Sequence, residues 1–299
     1  MVALLVHSLE QGFAYGIAAL GVFLTYRILD FPDLTVDGSF VTGAAIASLL
    51  LLQHGFDPFS VLALAFVSGV AVGCLTGILN TRFGITNLLA GVLTMIMLYS
   101  INLRIMGRPN LSYLRATTFK TVVEPALGFL GDYAILVFVG LLTLGVKLLL
   151  DTFLRTELGF ALRATGDSES MITAQGVNTK TMKVMGLALS NGLVALSGAL
   201  VAQYSGFADV NMGIGTIVAG LAAVIIGGTL LRSPRVGWMT TSVLLGSLVY
   251  RLAMGLALRY GYVIGFEASD LKLITALLVV AALVLPTLRE RRRRRVSAC

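Results

Sequence analysis

Few residues of this 299-residue chain can do chemistry, and most of them are carboxylates and amides set among apolar side chains. Asp33 and Asp37 stand one helical turn apart in the stretch from Asp30 to Phe40, DFPDLTVDGSF, at the edge of an apolar run. A carboxylate at membrane depth is costly and faces either protein or a wet cavity. Each of the two can cap the incoming helix, whose first amides attract negative charge, or contact a solute or ion directly. Asn87, Asn102, Asn191, Asp209 and Asn211, together with Gln203 and Tyr204, lie in or beside other apolar runs. They suit interhelical hydrogen bonds or the border of a passage. Arg251 is the deepest basic residue; it can snorkel outward, pair with a carboxylate or line a path. None of this makes a catalytic set. The chain has no GxxxxGK[ST] phosphate loop, no HExxH and no GxSxG. Cys74 and Cys299, like His7 and His54, lack disulfide or metal-ligand spacing. No cofactor, metal or intrinsic catalysis is expected.

A second constellation lies in Glu157 to Lys180, a polar, helix-capable stretch between apolar runs. Gly159, Arg163, Ala164, Gly166, Asp167, Ala174 and Gly176 follow the spacing GxxxRAxGDxxxxxxAxG, with Ser168 and Glu169 at its centre. Glycines at both ends and a compact polar middle predict a short helix, a turn and a self-contained knob. Its apolar residues are too scattered for a strong lipid-facing surface, which favours a protein partner over an interfacial loop.

The elements that position these groups are membrane spans. The chain is 57% apolar and 12% charged, with a mean hydropathy of +0.91. Apolar runs of about 20 residues match a bilayer and not a water-soluble core. We predict an all-α polytopic bundle of about nine spans: 3–25, 38–53, 58–80, 85–104, 132–151, 181–204, 213–231, 236–258 and 270–288. The second is short, and its start is broken and polar. The amino terminus has no basic n-region or cleavage site and is read as the first span rather than a removed signal. Placing the carboxyl terminus in the cytoplasm puts most Lys and Arg of the short loops inside, and an odd span count then places the amino terminus outside. Residues 1–288 form one transmembrane domain, and 289–299 a basic tail. That tail, with Arg291 to Arg295, meets anionic lipid; a nucleic-acid partner is not expected, because no aromatic or fold context accompanies it. The longest external connection, about 105–131, either closes the bundle or receives a soluble partner.

Two patterns bear on packing. Gly69, Gly73 and Gly77 recur every four residues, as do Gly12 and Gly16, and each set opens a helix face to a close neighbour. Residues 31–36, FPDLTV, resemble residues 207–212, FADVNM, at an offset of 176 that maps one membrane face onto the other. That is the signature of an inverted repeat pairing spans 1–4 with spans 6–9.

With these residues in place, a family resemblance emerges. The knob resembles the cytoplasmic coupling helix of ABC-importer permeases of the branched-chain amino acid and ribose type. Residues 33–40, DLTVDGSF, are similar to that group's second-span signature, departing from the sugar members by the inserted Asp37. Residues 219–237, AGLAAVIIGGTLLRSPRVG, resemble its late Gly-Gly turn. The nearest branch pairs with lipoprotein-type binding proteins, some of which handle aromatic amino acids. The resemblance implies a multi-pass protein of a bacterial plasma (inner) membrane. It implies two permease chains, a homodimer here, above two ATPase subunits, with an extracytoplasmic binding protein delivering an amino acid, possibly an aromatic one. Coupling would fall to Gly159, Arg163, Gly166, Asp167, Ser168, Glu169 and Gly176. An ion-coupled secondary transporter or channel is the main alternative, and a membrane-embedded enzyme a third.

Overall fold

A computed structural model describes residues 2–263, apart from 115, 232 and 234, together with 273, 276, 277 and 280. Eleven α-helices and one short β-ribbon make up these residues. Helix α1 (Val2–Phe23) runs into a π-helical turn, Leu24–Ile28. Then come α2 (Thr35–Gln53), α3 (Pro58–Thr81) and α4 (Asn87–Met106). Strand β1 (Asn110–Ser112), α5 (Phe119–Ala126) and a 3-10 turn (Gly128–Tyr133) lead to α6 (Ala134–Leu154). The knob is α7 (Glu157–Asp167) and α8 (Glu169–Ala174). Helix α9 (Thr179–Ser205), strand β2 (Phe207–Asp209), α10 (Thr216–Leu230) and α11 (Val236–Val263) complete the series.

Six of these helices, α2, α3, α4, α6, α9 and α11, are long and apolar enough to cross a membrane. The chain is therefore an all-α polytopic membrane protein. Helix α1 has the length but carries His7, Glu10 and Gln11. It is α10, with 15 residues, and not α2, with 19, that is short. The span expected at 270–288, and the tail, lie almost entirely outside the described residues.

Local signals set the helix ends. The Asp57 carboxylate accepts from the amides of Phe59 (3.1 Å) and Ser60 (3.3 Å) ahead of α3, with Pro58 at its first position. Asn178 caps α9 through the Thr181 amide, and Gly206, at φ 77°, ends it in a left-handed turn. The break after α1 has two causes. The Leu29 amide reaches the Leu24 carbonyl at 3.0 Å, widening the last turn. Pro32 then has no amide to continue a helix and holds Phe31 extended.

Helix α9 is the centre of the bundle, packing against α1, α2 and α3, while α11 closes on α1 and α10. The glycine faces make this possible. A Cβ at Gly69 or Gly73 would overlap the Asn191 or Leu187 carbonyl of α9, and one at Gly77 would meet the backbone of Val184. The crossing of α2 and α9 is reciprocal: Gly43 lies on the Ala195 carbonyl, and Gly198 on the carbonyl of Phe40. Gly12 and Gly16 of α1 sit against Leu248 and Leu244 of α11. Without a hydrophobic drive between helices in lipid, such approach supplies the van der Waals contact that holds them.

The connection at about 105–131 packs onto the bundle through its described residues. β1 pairs antiparallel with β2, Leu111 opposite Ala208. Buried Tyr113 meets the Ser48 hydroxyl at 2.8 Å, and the Phe119 amide donates to Gln203 Oε1 at 3.1 Å.

Gly43→Val should remove the α2–α9 crossing and cost about 3 kcal/mol or more, the upper range for overpacking. Gly145→Ala, where an added Cβ meets nothing within 4 Å, should be neutral. Thermal melting of the detergent-solubilised chain checks both.

Candidate functional site

The knob is wedged against the bundle by its glycines. The Thr156 hydroxyl accepts from the Gly159 amide at 3.3 Å and starts α7. A Cβ at Gly159 would overlap the Phe153 carbonyl at the end of α6, and one at Gly166 would overlap the Ile28 carbonyl. Leu162 and Thr165 complete the buried face. Gly176 turns the chain back at φ 88° toward α9. The expected single short helix is two, because Ser168, at φ −160°, breaks α7 from α8.

The polar residues singled out from sequence fall on this knob with unequal roles. Arg163 lies over the Phe160 ring, 5.5 Å from its centroid. Asp167 is exposed, and the Ser168 hydroxyl lies 3.4 Å from that of Ser170. Glu169 accepts from Lys183 of α9 at 2.6 Å, which ties α8 to the bundle. Sequence reasoning missed Leu158, Phe160 and Met171, apolar side chains 51%, 58% and 62% exposed. Their scatter along the sequence hid them. They are exposed while Gly159, Leu162 and Gly166 pack inward.

The carboxylates expected at the edge of the second span stand at the start of α2 and reach from there to other helices. Asp33 is buried, accepting from the Thr35 amide at 2.9 Å and from Asn191 Nδ2 at 2.8 Å. Asn191 lies midway along α9, and its Oδ1 accepts from Ser39 at 2.5 Å. A residue near a span end in sequence is therefore set against the middle of the central helix. Asp37 caps a different helix from its own. Its oxygens accept from the amides of Gly215 (3.0 Å) and Ile217 (2.8 Å), the start of short α10. Asn102 donates to the Gly38 carbonyl at 3.2 Å, and its Oδ1 has no partner among the described residues. Asn87 accepts from Asn80 at 2.8 Å. Asp209 accepts from the Asn211 amide (2.7 Å) and from Asn110 (3.1 Å) beside the ribbon. Arg251 does not reach outward: its guanidinium lies 3.3 Å from the centroid of the Tyr15 ring on α1.

Two cavities lie along the seam of α1, α10 and α11. One, about 680 Å³, is lined by Phe23, Tyr26, Arg27 and Ser242 among others. The second, about 290 Å³, is lined by Tyr15, Thr216, Arg251 and Met254 among others. Val22 of α1 presses on Gly220 of α10, which borders a pinch of about 10 Å³ beside Tyr15 and Arg251. Arg251 lines the second cavity; Asp33, Asp37, Asn87, Asn102, Asn191, Asp209 and Asn211 line neither.

The Lys183 hydrogen bond holds the Glu169 carboxyl below its ordinary range, against a smaller opposing effect of burial. A depressed acid stabilises above its unfolded pKa and loses that contribution as pH falls through its folded value. Protection of α8 amides against hydrogen exchange should therefore hold at neutral pH. It should fall by about threefold as pH drops below about 4.3, a small effect because the pair is half exposed. In Lys183→Met that pH dependence should vanish.

Comparisons with known proteins agree with this geometry. A family model described as branched-chain amino acid transport system / permease component matches residues 4–285. A tyrosine transport system permease protein of Clostridioides difficile is 43% identical over 279 residues, 93% of this chain and 90% of that one. A probable branched-chain amino acid transport permease protein, LivH, of Methanocaldococcus jannaschii is 28% identical, covering 70% of this chain and 69% of its own. The autoinducer 2 import system permease protein LsrC of Salmonella typhimurium is 30% identical over 71% of this chain and 58% of its own. No solved structure matches the chain. With the match running through nearly all of its helices, the chain belongs to the branched-chain amino acid transport system permease family and is a multi-pass transport permease of the inner membrane.

Proposed function

We propose that this chain is the membrane subunit of an ATP-driven importer, and that α7 and α8 receive its ATPase subunit. The observation that carries the reading is the knob's outer surface. Leu158, Phe160 and Met171 are half or more exposed on an otherwise polar hairpin, and Gly159 and Gly166 seat it on the bundle. Exposed aromatic and thioether side chains within a polar rim are what a protein partner buries. Arg163, Asp167, Ser168 and Glu169 supply the rim. The chain lacks a phosphate loop, so the nucleotide chemistry belongs to that partner.

Gly166 rests on the carbonyl of Ile28, where the π-helical turn ends and the chain turns toward Asp33 and the Asn191 network. Movement of the knob therefore pushes on the break between α1 and α2. The passage follows the α1–α10–α11 seam, through the two cavities separated where Val22 meets Gly220. An extracytoplasmic binding protein delivers the solute, and a second copy of the chain completes the membrane domain. The solute is an amino acid, an aromatic one by likeness to the tyrosine permease. The amino terminus lies outside, and the carboxyl terminus, with its lipid-binding arginines, in the cytoplasm.

Nine spans arranged as an inverted repeat fit this reading. The offset of 176 pairs α1, α2 and α3 with α9, α10 and α11 in order. Asp33 accepts from the Thr35 amide and Asp209 from the Asn211 amide, the same turn twice. In packing, α1 lies on α10 and α11 as α9 lies on α2 and α3. An ion-coupled carrier draws no support from Asp33 and Asp37, whose oxygens are spent on hydrogen bonds that join helices.

Phe160→Ala with Met171→Ala should weaken ATPase-subunit association by about tenfold or more and lower solute-stimulated ATP hydrolysis in reconstituted vesicles. Membrane insertion and melting should be unchanged, because both side chains are exposed. Bulky replacements at Gly166 or Asp167 should also lower that hydrolysis; unchanged stimulation in all of these variants would sink the assignment.

A further inference from the structure

The cavity beside α10 holds a cation that coupling to an ATPase does not require. Arg251 lies flat enough on Tyr15 to bring its guanidinium carbon 3.3 Å from the ring centroid. Tyr15 stacks in turn on fully buried Phe40 of α2, with centroids 5.4 Å apart and planes within 19°. Stacking occupies the face of a guanidinium and leaves its N–H edge available, and that edge matches a carboxylate through two parallel hydrogen bonds. Nε of Arg251 is buried with no hydrogen-bond partner among the described residues. None of the ion pairs there, His7–Glu10, Lys147–Asp151 and Lys183–Glu169, engages it. No carboxylate among the described residues pairs with this partly buried guanidinium, which leaves it able to attract an anionic ligand.

The space Arg251 lines is about 290 Å³, at the lower end of small-molecule sites, which run from about 300 to 1,000 Å³. It suits a single amino-acid-sized solute. Thr216 adds a hydroxyl at the start of α10, and Met212, Val218 and Met254 form apolar walls. Thioethers adapt to aromatic and branched groups alike. Asp37 already caps the Gly215 and Ile217 amides, so the guanidinium is an available donor on this wall.

We propose that Arg251, held on the Tyr15 ring, binds the carboxylate of an amino-acid solute with an apolar or aromatic side chain as it crosses the α1–α10–α11 seam. The inference rests on the importer reading for the existence of a passage. A phospholipid phosphate offers a similar pair of oxygens, and the experiment separates the two sources.

The full chain would be placed in nanodiscs of phosphatidylcholine, with and without phosphatidylglycerol, and titrated with radiolabelled L-tyrosine, L-phenylalanine and L-leucine. At least one should bind in both lipids, and Arg251→Gln should weaken it by about tenfold or more. Tyramine, which lacks the carboxylate, should not compete, whereas hydroxyphenylpropionate, which lacks the amine, should. If Arg251→Gln melts early, the tyramine comparison on the wild-type chain decides. Undiminished binding by a folded Arg251→Gln, or equal competition by tyramine, would overturn the proposal. So would a wild-type chain that binds none of the three, or binding abolished by phosphatidylglycerol, which assigns the site to an anionic lipid headgroup. The importer reading fails on different data: no ATP-driven uptake by the complete complex, whatever the permease chain binds.

Discussion

Everything in this bundle depends on how closely other helices can approach α9. Lipid rewards helix association only through contact and hydrogen bonds, so the backbones must come together wherever the fold is to be rigid. Gly69, Gly73 and Gly77 bring α3 onto α9, and Gly43 and Gly198 bring α2 onto it from another side. The result is a helix buried nearly all round, in which Ser190, Asn191, Ser197 and Gln203 are also buried. Those polar side chains are tolerable because each is paired: Ser190 with the Gly21 carbonyl, Ser197 with Ala14, and Asn191 with Asp33. Close approach and polar pairing are thus one constraint, since the second needs the short distances that the first creates.

The broken segments follow from the same constraint. Irregular backbone inside a membrane protein survives only where neighbouring protein satisfies its amides. The Asp33 carboxylate takes the amide at the start of α2, and Asp37 takes two at the start of α10. Each carboxylate also joins two helices, Asp33 linking the start of α2 to α9 and Asp37 linking α2 to α10. The α1–α10–α11 seam is where cavities open, and the α2–α3–α9 side is where glycines close them.

Several features were legible in the residues. Most helices begin and end within a few positions of the expected spans, because apolar length and caps such as Asp57, Pro58 and Gly206 are local signals. The knob was legible too, since a polar stretch bounded by glycines stands out in an oily chain. Its exposed apolar side chains were not. Arg163, Asp167, Ser168 and Glu169 attract notice by charge and polarity, yet Glu169 is engaged by Lys183. Leu158, Phe160 and Met171 look like ordinary core until Gly166 fixes which side of α7 faces inward.

By itself the sequence determined that this chain is an all-α membrane protein, that a polar knob interrupts its spans, and that the chain lacks a phosphate loop. These are properties of composition and short-range order, set by the cost of polar groups in lipid and by local helix signals. Only the tertiary structure decided that Asp33 meets the middle of α9, that Asp37 caps α10 and not α2, and that Arg251 turns inward onto Tyr15. Those pairings join residues up to 236 positions apart. Nothing in local periodicity specifies such partners, because they depend on which glycine faces meet and how deeply each broken helix enters the bundle.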